Sequence, residues 1–373
     1  MSITDGAAIA FSSAFYEAIA NYRPADSALG EARKAMRAKG NHIEWATPSL
    51  YLSSPDGRLF QKKQKQSLAP QDHYDDVIDG LIRGEIVVFV GPGANVCGDE
   101  HPPDDSGLAS SLRSGASVEL GADWGLPRVS QYIETTRNKD FLYSELHATL
   151  MKTSEPNPLH RFLATLPSLL RERGSLSPYQ LIVTCNYDDA LEAAFEERDG
   201  AGAEPYDLLT YTAEEGLYGK FYRTPFGGAP QLIKSGRTET FSMTDRTVIL
   251  KMHGAVDRGN PSRDSFVVTE DNYICFPSHR EIELILPSCL LTKLSRSHFL
   301  FLGWKPADWN YRVILSRLWK DQSRRSWVVL SRKDDRQYWE RKNARLVEVG
   351  LEDYIAELTS RLRNRAGAPE AGL

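Results

Sequence analysis

Apolar strands that alternate with amphipathic helices constrain most of this chain to one class of fold. Five runs are apolar at nearly every position, at residues 85–91, 179–185, 247–252, 298–303 and 326–331. Segments with apolar residues at helical spacing separate them. Strands of this kind are buried on both faces, which predicts an α/β fold in which a parallel sheet has helices on both sides. Ligands of such sheets bind beyond the carboxyl ends of the strands.

A smaller unit is predicted before this region. Residues 1–60 contain two helical patterns and a strand-like stretch with a turn, too few elements to enclose a core of ordinary size. Residues 61–76 are polar and have a proline in their middle, which is typical of a linker. We therefore expect a small α/β appendage, a linker, and a main domain at residues 77–365.

Charge and cysteine content exclude several classes of function. The formal net charge is −5, and the basic residues are spread along the chain, so we expect no direct nucleic-acid partner. The four cysteines form no C-x-x-C pair, which argues against a zinc module and a disulfide framework. The sequence has neither a recognisable signal peptide nor a run of about 20 apolar residues that could span a membrane. These features predict a cytoplasmic protein without membrane contact.

The first predicted strand ends in a glycine-rich turn, "GPGANVCG", at residues 91–98. Gly91 and Gly93 would let backbone amides approach a diphosphate closely, next to the positive end of a helix. Val96 replaces the third glycine of a G-x-G-x-x-G pattern, and no Gly-Lys-Ser/Thr follows. Taken alone, the turn is equally consistent with a plain corner between a strand and a helix.

Polar residues follow three further strands of the predicted sheet. Asn186 and Asp188 come directly before an amphipathic helix, and capping that helix is the simpler interpretation of either side chain. A lone histidine is more often a structural hydrogen-bonding residue. His253, however, stands at a strand exit before a glycine where the backbone can turn away, and this position shifts the interpretation towards a general base. Gly303 would let a ribose or base lie against the backbone, and Asp308 precedes a helix that it could cap.

The order of these segments resembles that of a known family. A glycine turn is followed by Asn-Tyr-Asp, then by Lys-x-His-Gly, and then by Phe-Leu-Gly with an Asp after it. This order is similar to the sirtuin-like domain of prokaryotic anti-phage defence proteins, from about residue 75 to about residue 330. The stretch "VTEDNYICF" at residues 268–276 adds to the likeness. The resemblance implies a Rossmann-like fold with NAD as the substrate.

The resemblance also implies roles for individual residues. Asn186 would hold the nicotinamide ribose and the attacking water, and His253 would act as the base. The implied contacts with the rest of NAD are Gly91, Gly93, Ala94 and Asn95 at the pyrophosphate and ribose, Asp188 at the nicotinamide end, and Gly303 and Asp308 at the adenosine. The Gly-Pro-Gly-Ala-Asn turn and the lack of paired C-x-x-C motifs differ from sirtuin deacylases, so neither zinc nor deacylation is expected.

The first 60 residues resemble a second family. They are similar to the closing part of a caspase-like CHAT domain, in "AFYEAIANYRPADSALGEARKAMRAKG" and the following "EWATPSLYLSSPDGRLF". The histidine and cysteine that carry the chemistry of that family lie upstream of this part and are absent here. This resemblance implies a docking or oligomerisation element rather than a protease.

Taken together, these features predict an NAD glycohydrolase of anti-phage defence. We expect a homo-oligomer that stays inactive until a protein partner or a phage signal activates it. Two alternatives stay open: a non-catalytic module that senses NAD or ADP-ribose, and a protein ADP-ribosyltransferase. The sequence does not decide whether water or a protein side chain attacks the ribose.

Overall fold

A computed structural model divides the chain into two compact units, residues 1–68 and 69–373. The structure describes residues 4–20, 23–38, 44–51, 72–97, 103–116, 120–121, 123–152, 155–197, 204–214, 216–217, 219–233, 242–278, 286–304, 312, 315–316, 325–329, 336–342 and 344–364. Asp308 and most of the strand predicted in the appendage lie outside the described residues.

The first unit contains a helical hairpin. Helix α1 spans Asp5–Ala20 and helix α2 spans Ala25–Ala38, which confirms the two helices predicted there. Their buried cluster consists mainly of small residues, namely Ala18, Ile19, Ala25 and Ala28. Larger apolar side chains of α1 are exposed, among them Ile9 at 67% and Tyr16 at 68%. The hairpin therefore buries only part of its apolar side chains.

A nine-stranded sheet lies at the centre of the second unit. The strands are β1 (Ile86–Val90), β2 (Leu181–Thr184), β3 (Tyr206–Thr212), β4 (Lys220–Pro225), β5 (Gln231–Leu232), β6 (Thr247–Lys251), β9 (His298–Leu302), β10 (Ser326–Val329) and β11 (Arg345–Val347). Their order is β11-β10-β9-β1-β2-β6-β3-β4-β5. The first seven in that order are parallel, whereas β4 and β5 extend one edge in antiparallel pairing. The predicted fold class is confirmed.

The five strands predicted from apolar runs are all present, but the β3–β4 hairpin was not predicted. Asp207 of β3 is fully buried, which is unusual for a strand position and weakens the apolar pattern of its segment. Its carboxylate pairs with Arg223 Nη2 at 2.7 Å and with Arg246 Nη1 at 3.3 Å. These arginines are 16 and 39 residues away along the chain. Local sequence therefore gives little indication that the aspartate is paired.

Helices cover both faces of the sheet. One face packs against α3 (Asp72–Ile82), α7 (Pro158–Glu172), α8 (Ala190–Glu196) and α12 (Leu351–Asn364), and the other against α9 (Glu270–Ser278), α10 (Ser288–Arg296) and α11 (Arg336–Arg341). Successive side chains of β1 point to opposite faces of the sheet, so Val88 packs in the core on the first face and Phe89 in the core on the second. Helix α3 begins at Asp72, so the last residues assigned to the 61–76 linker are helical.

Three further helices lie beyond the sheet's carboxyl edge. They are α4 (Asp105–Gly115), α5 (Leu126–Thr136) and α6 (Lys139–Leu150). They share a separate apolar cluster with Tyr187, which follows β2, and with Val256, which follows the short strand β7 (Gly254–Ala255). Strand β7 pairs with β8 (Ser265–Phe266) in a small second sheet. The connection after β1 thus packs against the exits of β2 and β6.

The turn after β1 packs against the end of β9, backbone to backbone. Gly91 N donates to Leu302 O at 3.0 Å, and Gly93 N donates to Gly303 O at 2.8 Å. Gly303 has a φ of +64°, and a Cβ built there would lie 2.2 Å from Ala94 N. A Cβ on Gly91 would lie 2.6 Å from Gly303 O. This close approach requires glycine on both sides.

We expect Gly303→Ala to destabilise the second unit by about 2–5 kcal/mol. A left-handed conformation costs a non-glycine residue roughly 1–2 kcal/mol, and overpacking costs roughly 1–3 kcal/mol more. Gly174→Ala is the matched control, because its φ is +71° but no heavy atom lies within 4 Å of the added Cβ. Denaturant unfolding should show a loss of only about 1–2 kcal/mol for the control. Equal losses in the two variants would contradict the packing argument.

Candidate functional site

The amides of the glycine turn donate to carbonyl groups of the protein itself. Besides the bonds of Gly91 and Gly93, Ala94 N donates to Gly91 O at 2.9 Å, and Asn95 N donates to Pro92 O at 3.1 Å. The amides expected to face a diphosphate are thus already used in this structure. The contact of Gly91, Gly93, Ala94 and Asn95 with NAD stays a prediction, and its support is the position of the turn rather than free amide donors.

Three of the predicted site residues form a continuous hydrogen-bond chain. Asn186 Nδ2 donates to Asn95 Oδ1 at 2.8 Å, and Asn95 Nδ2 donates to Asp188 Oδ2 at 2.8 Å. Asn95, Asn186 and Asp188 are all at least nine-tenths buried. Asn186 Oδ1 is also buried, and it has no hydrogen-bond partner within the described part of the chain. The exits of β1 and β2 therefore meet in a polar cluster that keeps one acceptor unused.

The side chain of Asp188 contacts both the start of α8 and the polar cluster, whereas the N-cap residue of α8 is Asp189. Asp188 Oδ1 accepts a hydrogen bond from Ala190 N at 3.1 Å, at the start of α8. Its other carboxylate oxygen accepts from Asn95. Asn186 instead donates its backbone N–H to Thr184 Oγ1 at 3.1 Å. The Asp188 carboxylate thus accepts a hydrogen bond from the first backbone N–H of α8 and also orients the side chain of Asn95, which contacts Asn186.

A buried lysine joins β6 to the segment after β2. Lys251 is 1% exposed, and its Nζ donates to the backbone carbonyl of Asp188 and lies 2.5 Å from Glu192 Oε1. Burial raises the pKa of Glu192, and the nearby Lys251 ammonium opposes that rise. Lysine at a fully buried strand position was noted in the sequence only as part of Lys-x-His-Gly. Its charge in an otherwise apolar strand is the signal that could have revealed the pair.

His253 lies fully buried beyond the end of β6, among aromatic rings. Its ring centroid is 5.1 Å from that of Tyr273, 5.9 Å from Phe276 and 6.3 Å from Tyr187. Burial lowers the pKa of His253 to about 3, so the imidazole is neutral at pH 7. The following Gly254 has a φ of +82°, and a Cβ there would lie 1.9 Å from Ser265 O. The predicted backbone turn is present.

Two residues at the start of α7, its N-cap Asn157 and His160, also belong to this region, and the sequence did not single them out. Asn157 caps the helix and donates from Nδ2 to Ala94 O at 2.8 Å, so it holds the glycine turn in place. His160 is 1% exposed, and burial lowers its pKa to about 4 although the Asp188 carboxylate opposes that change. The capping pattern Asn-Pro-Leu-His is visible in the sequence, but its contact with a turn 63 residues earlier is not.

The structure thus brings part of the predicted site together. Asn95, Asn186 and Asp188 are in direct contact, and Gly303 packs against the same turn. His253 follows the strand next to Asn186, because β2 pairs with β6 through Thr184 and Lys251. The described contacts of its ring are with aromatic residues of other elements. The roles assigned to these residues stay predictions.

Comparison with known families gives a match that extends from β2 to β11. Residues 180–347 match the SIR2-like domain family. SIR2-like domains bind NAD and are NAD-dependent enzymes, so the sirtuin-like part of the expectation is supported. The matched range contains Asn186, Asp188, His253 and Gly303, whereas the glycine turn lies before it. No curated protein matches the chain.

The part of the chain that the structure describes contains neither a candidate metal site nor a candidate membrane span. No cluster of three or more His, Cys, Asp or Glu side chains there could hold a metal ion. No helix in the same part of the chain is long and apolar enough to cross a membrane.

We expect Lys251→Met to make stability depend on pH through Glu192. Without the ammonium, burial and the nearby Asp189 carboxylate act on the Glu192 carboxyl and raise its pKa further. A carboxyl whose pKa is higher in the folded state stabilises the fold at low pH, and this stability is lost as pH rises through the folded pKa. Between about pH 5 and about pH 8, the free energy of unfolding should fall by about 2–4 kcal/mol relative to the wild type, because one titrating group changes it by at most about 1.4 kcal/mol per pH unit.

Chemical denaturation at several pH values measures this effect. The double variant Lys251→Met/Glu192→Gln is the control, because it carries no stranded carboxylate and should show the pH dependence of the wild type. A double variant as pH-sensitive as the single one would show that Glu192 is not the titrating group.

Proposed function

We propose that the second unit is an NAD glycohydrolase, which cleaves NAD to nicotinamide and ADP-ribose. The SIR2-like match supports NAD as the substrate. The observation that carries the proposal is the unused acceptor of Asn186, buried at the exit of a parallel strand, where ligands of such sheets bind. An unsatisfied buried acceptor costs roughly 1–3 kcal/mol, and a bound hydroxyl or water would recover this cost.

The reaction needs little acid catalysis at the leaving group. The bond between the ribose C1′ and the cationic nicotinamide nitrogen breaks, and its electron pair returns to the ring, which leaves as a neutral molecule. The oxygen of water forms the new bond to C1′, and the water gives up a proton. The sugar passes through an oxocarbenium-like state, as in glycoside hydrolysis. The protein must hold the ribose, direct the water and accept the proton.

Asn186 suits the first two of these tasks. Its amide combines a carbonyl acceptor with two N–H donors, so it can bind a ribose hydroxyl and a water together. In this structure, Nδ2 is held by Asn95, and Oδ1 has no partner among the described residues. The fixed amide would therefore present its carbonyl oxygen to an O–H donor of the ribose or the water. Asn95 and Asp188 would keep that orientation.

His253 is the proposed proton acceptor. The imidazole is neutral at pH 7 because burial lowers its pKa to about 3, and a neutral ring can accept a proton. His253 follows β6, which pairs with β2, so both proposed catalytic residues lie beyond adjacent strands of the sheet. Gly303 and the turn at Gly91–Asn95 would face the remainder of the dinucleotide, at the exits of β9 and β1.

We expect Asn186→Ala and His253→Ala each to reduce NAD cleavage at least about 100-fold, because each removes a group that acts on the sugar or the water. Nicotinamide release, measured by chromatography on the purified full-length protein at several protein concentrations, provides the test. Asn138→Ala is the matched control, since Asn138 is an exposed residue whose side chain caps α6, and its loss should leave the rate within about twofold.

Three outcomes separate the proposed hydrolase from its alternatives. Wild-type turnover in either alanine variant would remove that residue from the mechanism. NAD binding without nicotinamide release, under every activating condition tried, would support an NAD-sensing module. Nicotinamide release with ADP-ribose attached to protein would indicate a transferase.

We further propose that NAD depletion by this enzyme serves anti-phage defence and depends on assembly. The helical hairpin of the first unit leaves Ile9 and Tyr16 exposed, which supports a docking or oligomerisation role for that unit. The proposed assembly is a homo-oligomer that a protein partner or a phage signal activates in the cytoplasm.

Bacteria that express the wild-type protein should lose NAD during phage infection and should release fewer phage than cells that express Asn186→Ala. Cellular NAD and phage plating efficiency measure the two effects, and Asn138→Ala should behave as the wild type. Equal plating on wild-type and Asn186→Ala cells at matched expression would contradict the defence role.

A further inference from the structure

We propose that Lys251 is a positioning residue that fixes the segment bearing Asn186 from the neighbouring strand. The proposal rests on the proposed function in one respect, since Asn186 is the catalytic group whose position would matter. Lys251 is the last residue of β6, and His253 follows it by two positions. Its ammonium contacts the segment after β2, so one side chain connects the two strand exits that carry the proposed chemistry.

The contacts of Lys251 converge on this one segment. Its Nζ donates to the carbonyl of Asp188, two residues after Asn186, and lies 2.5 Å from Glu192 Oε1 in the first turn of α8. An ammonium has three N–H donors, so it can serve a carbonyl and a carboxylate together. The lysine thus links the strand β6 to both the turn and the helix that follow β2.

The backbone pairing of β2 and β6 explains why a side chain is needed at this point. Met252 N donates to Thr184 O at 2.9 Å, and Val256 N donates to Tyr187 O at 2.9 Å. These bonds tie the two exits together up to Tyr187. The next carbonyl, that of Asp188, accepts from Lys251 instead. The ammonium therefore extends the pairing into the turn where the carboxylate of Asp188 holds Asn95, and Asn95 holds Asn186.

The cost of burying two charges also favours a positioning role over a purely stabilising one. Lys251 is 1% exposed and Glu192 is 7% exposed, so both charged groups have lost most of their hydration. Buried ion pairs are often no more stabilising than apolar residues of similar volume, because desolvation offsets the attraction. An apolar pair would pack here without that cost but would leave the carbonyl of Asp188 without a donor. The lysine therefore contributes a fixed position of the turn at Asp188.

The test compares Lys251→Met/Glu192→Gln with the wild type in the full-length protein. The double variant removes the ammonium and the carboxylate together, so no buried charge is left unpaired and both proteins should fold with similar midpoints of unfolding. Amide hydrogen exchange is read over residues 186–196 and over the rest of the sheet. In the same preparations, kcat and KM for nicotinamide release are measured separately.

Lys293→Met is a matched control at the opposite end of the sheet. Lys293 Nζ also donates to a backbone carbonyl, that of Gly84, and burial lowers the pKa of Lys293. This variant should lose a lysine–carbonyl bond of the same kind without changing exchange over residues 186–196. Its kcat should stay within about twofold of the wild type.

We expect the double variant to exchange at least about tenfold faster over residues 186–196 only, and to lose at least about tenfold in kcat with KM changed less than about threefold. Unchanged exchange in that segment would overturn the proposal. Faster exchange throughout the sheet would overturn it as well, because it would indicate a general structural role. If the wild type does not cleave NAD, the proposed function fails, and the exchange result alone decides whether Lys251 fixes the segment.

Discussion

The close contact between the turn after β1 and the end of β9 is the constraint on which the rest of the site depends. Two backbone segments meet without side chains between them, since a Cβ on Gly91 or Gly303 would overlap main-chain atoms of the other segment. The contact fixes where the turn leaves the sheet. Asn95, four residues after Gly91, then reaches the segment after β2 and contacts both Asn186 and Asp188.

This contact explains the presence of glycines in the turn without any bound ligand. The sequence suggested that Gly91 and Gly93 expose amides to a diphosphate, yet both amides donate to carbonyls of β9 and its exit. A pattern of glycines indicates only that the backbone at that point approaches another group closely. Whether that partner is a phosphate or a neighbouring strand depends on the tertiary structure. The turn could be located from the sequence, but its hydrogen-bond partners could not.

The fold and the site show the same difference between features that the sequence locates and contacts that only the tertiary structure determines. Strands buried on both faces, such as β1 and β9, were predictable because nearly every residue in them is apolar. The β3–β4 hairpin was not, since Asp207 is tolerated in its core only through arginines supplied by other segments. Likewise, the strand exits carrying Asn186 and His253 were predictable from parallel topology. The ion pair of Lys251 and Glu192 joins residues 59 positions apart in the sequence, and neither has a local pattern that names its partner.

The burial of His253 determines how strong a base its imidazole can be. An ordinary imidazole has a pKa near 6.5 and holds a proton well enough to relay it, whereas burial lowers the pKa of His253 to about 3. Such a ring is always available to accept a proton at pH 7 but binds that proton weakly. In the proposed reaction, the proton is released only as water adds to a cationic sugar, which makes the attacking water far more acidic than bulk water. A weak base suffices for that step, so the main demand falls on holding the sugar and the water in place. In the proposed reaction, the hydrogen-bonded chain of Asn95, Asn186 and Asp188, which Lys251 ties to β6, would meet that demand.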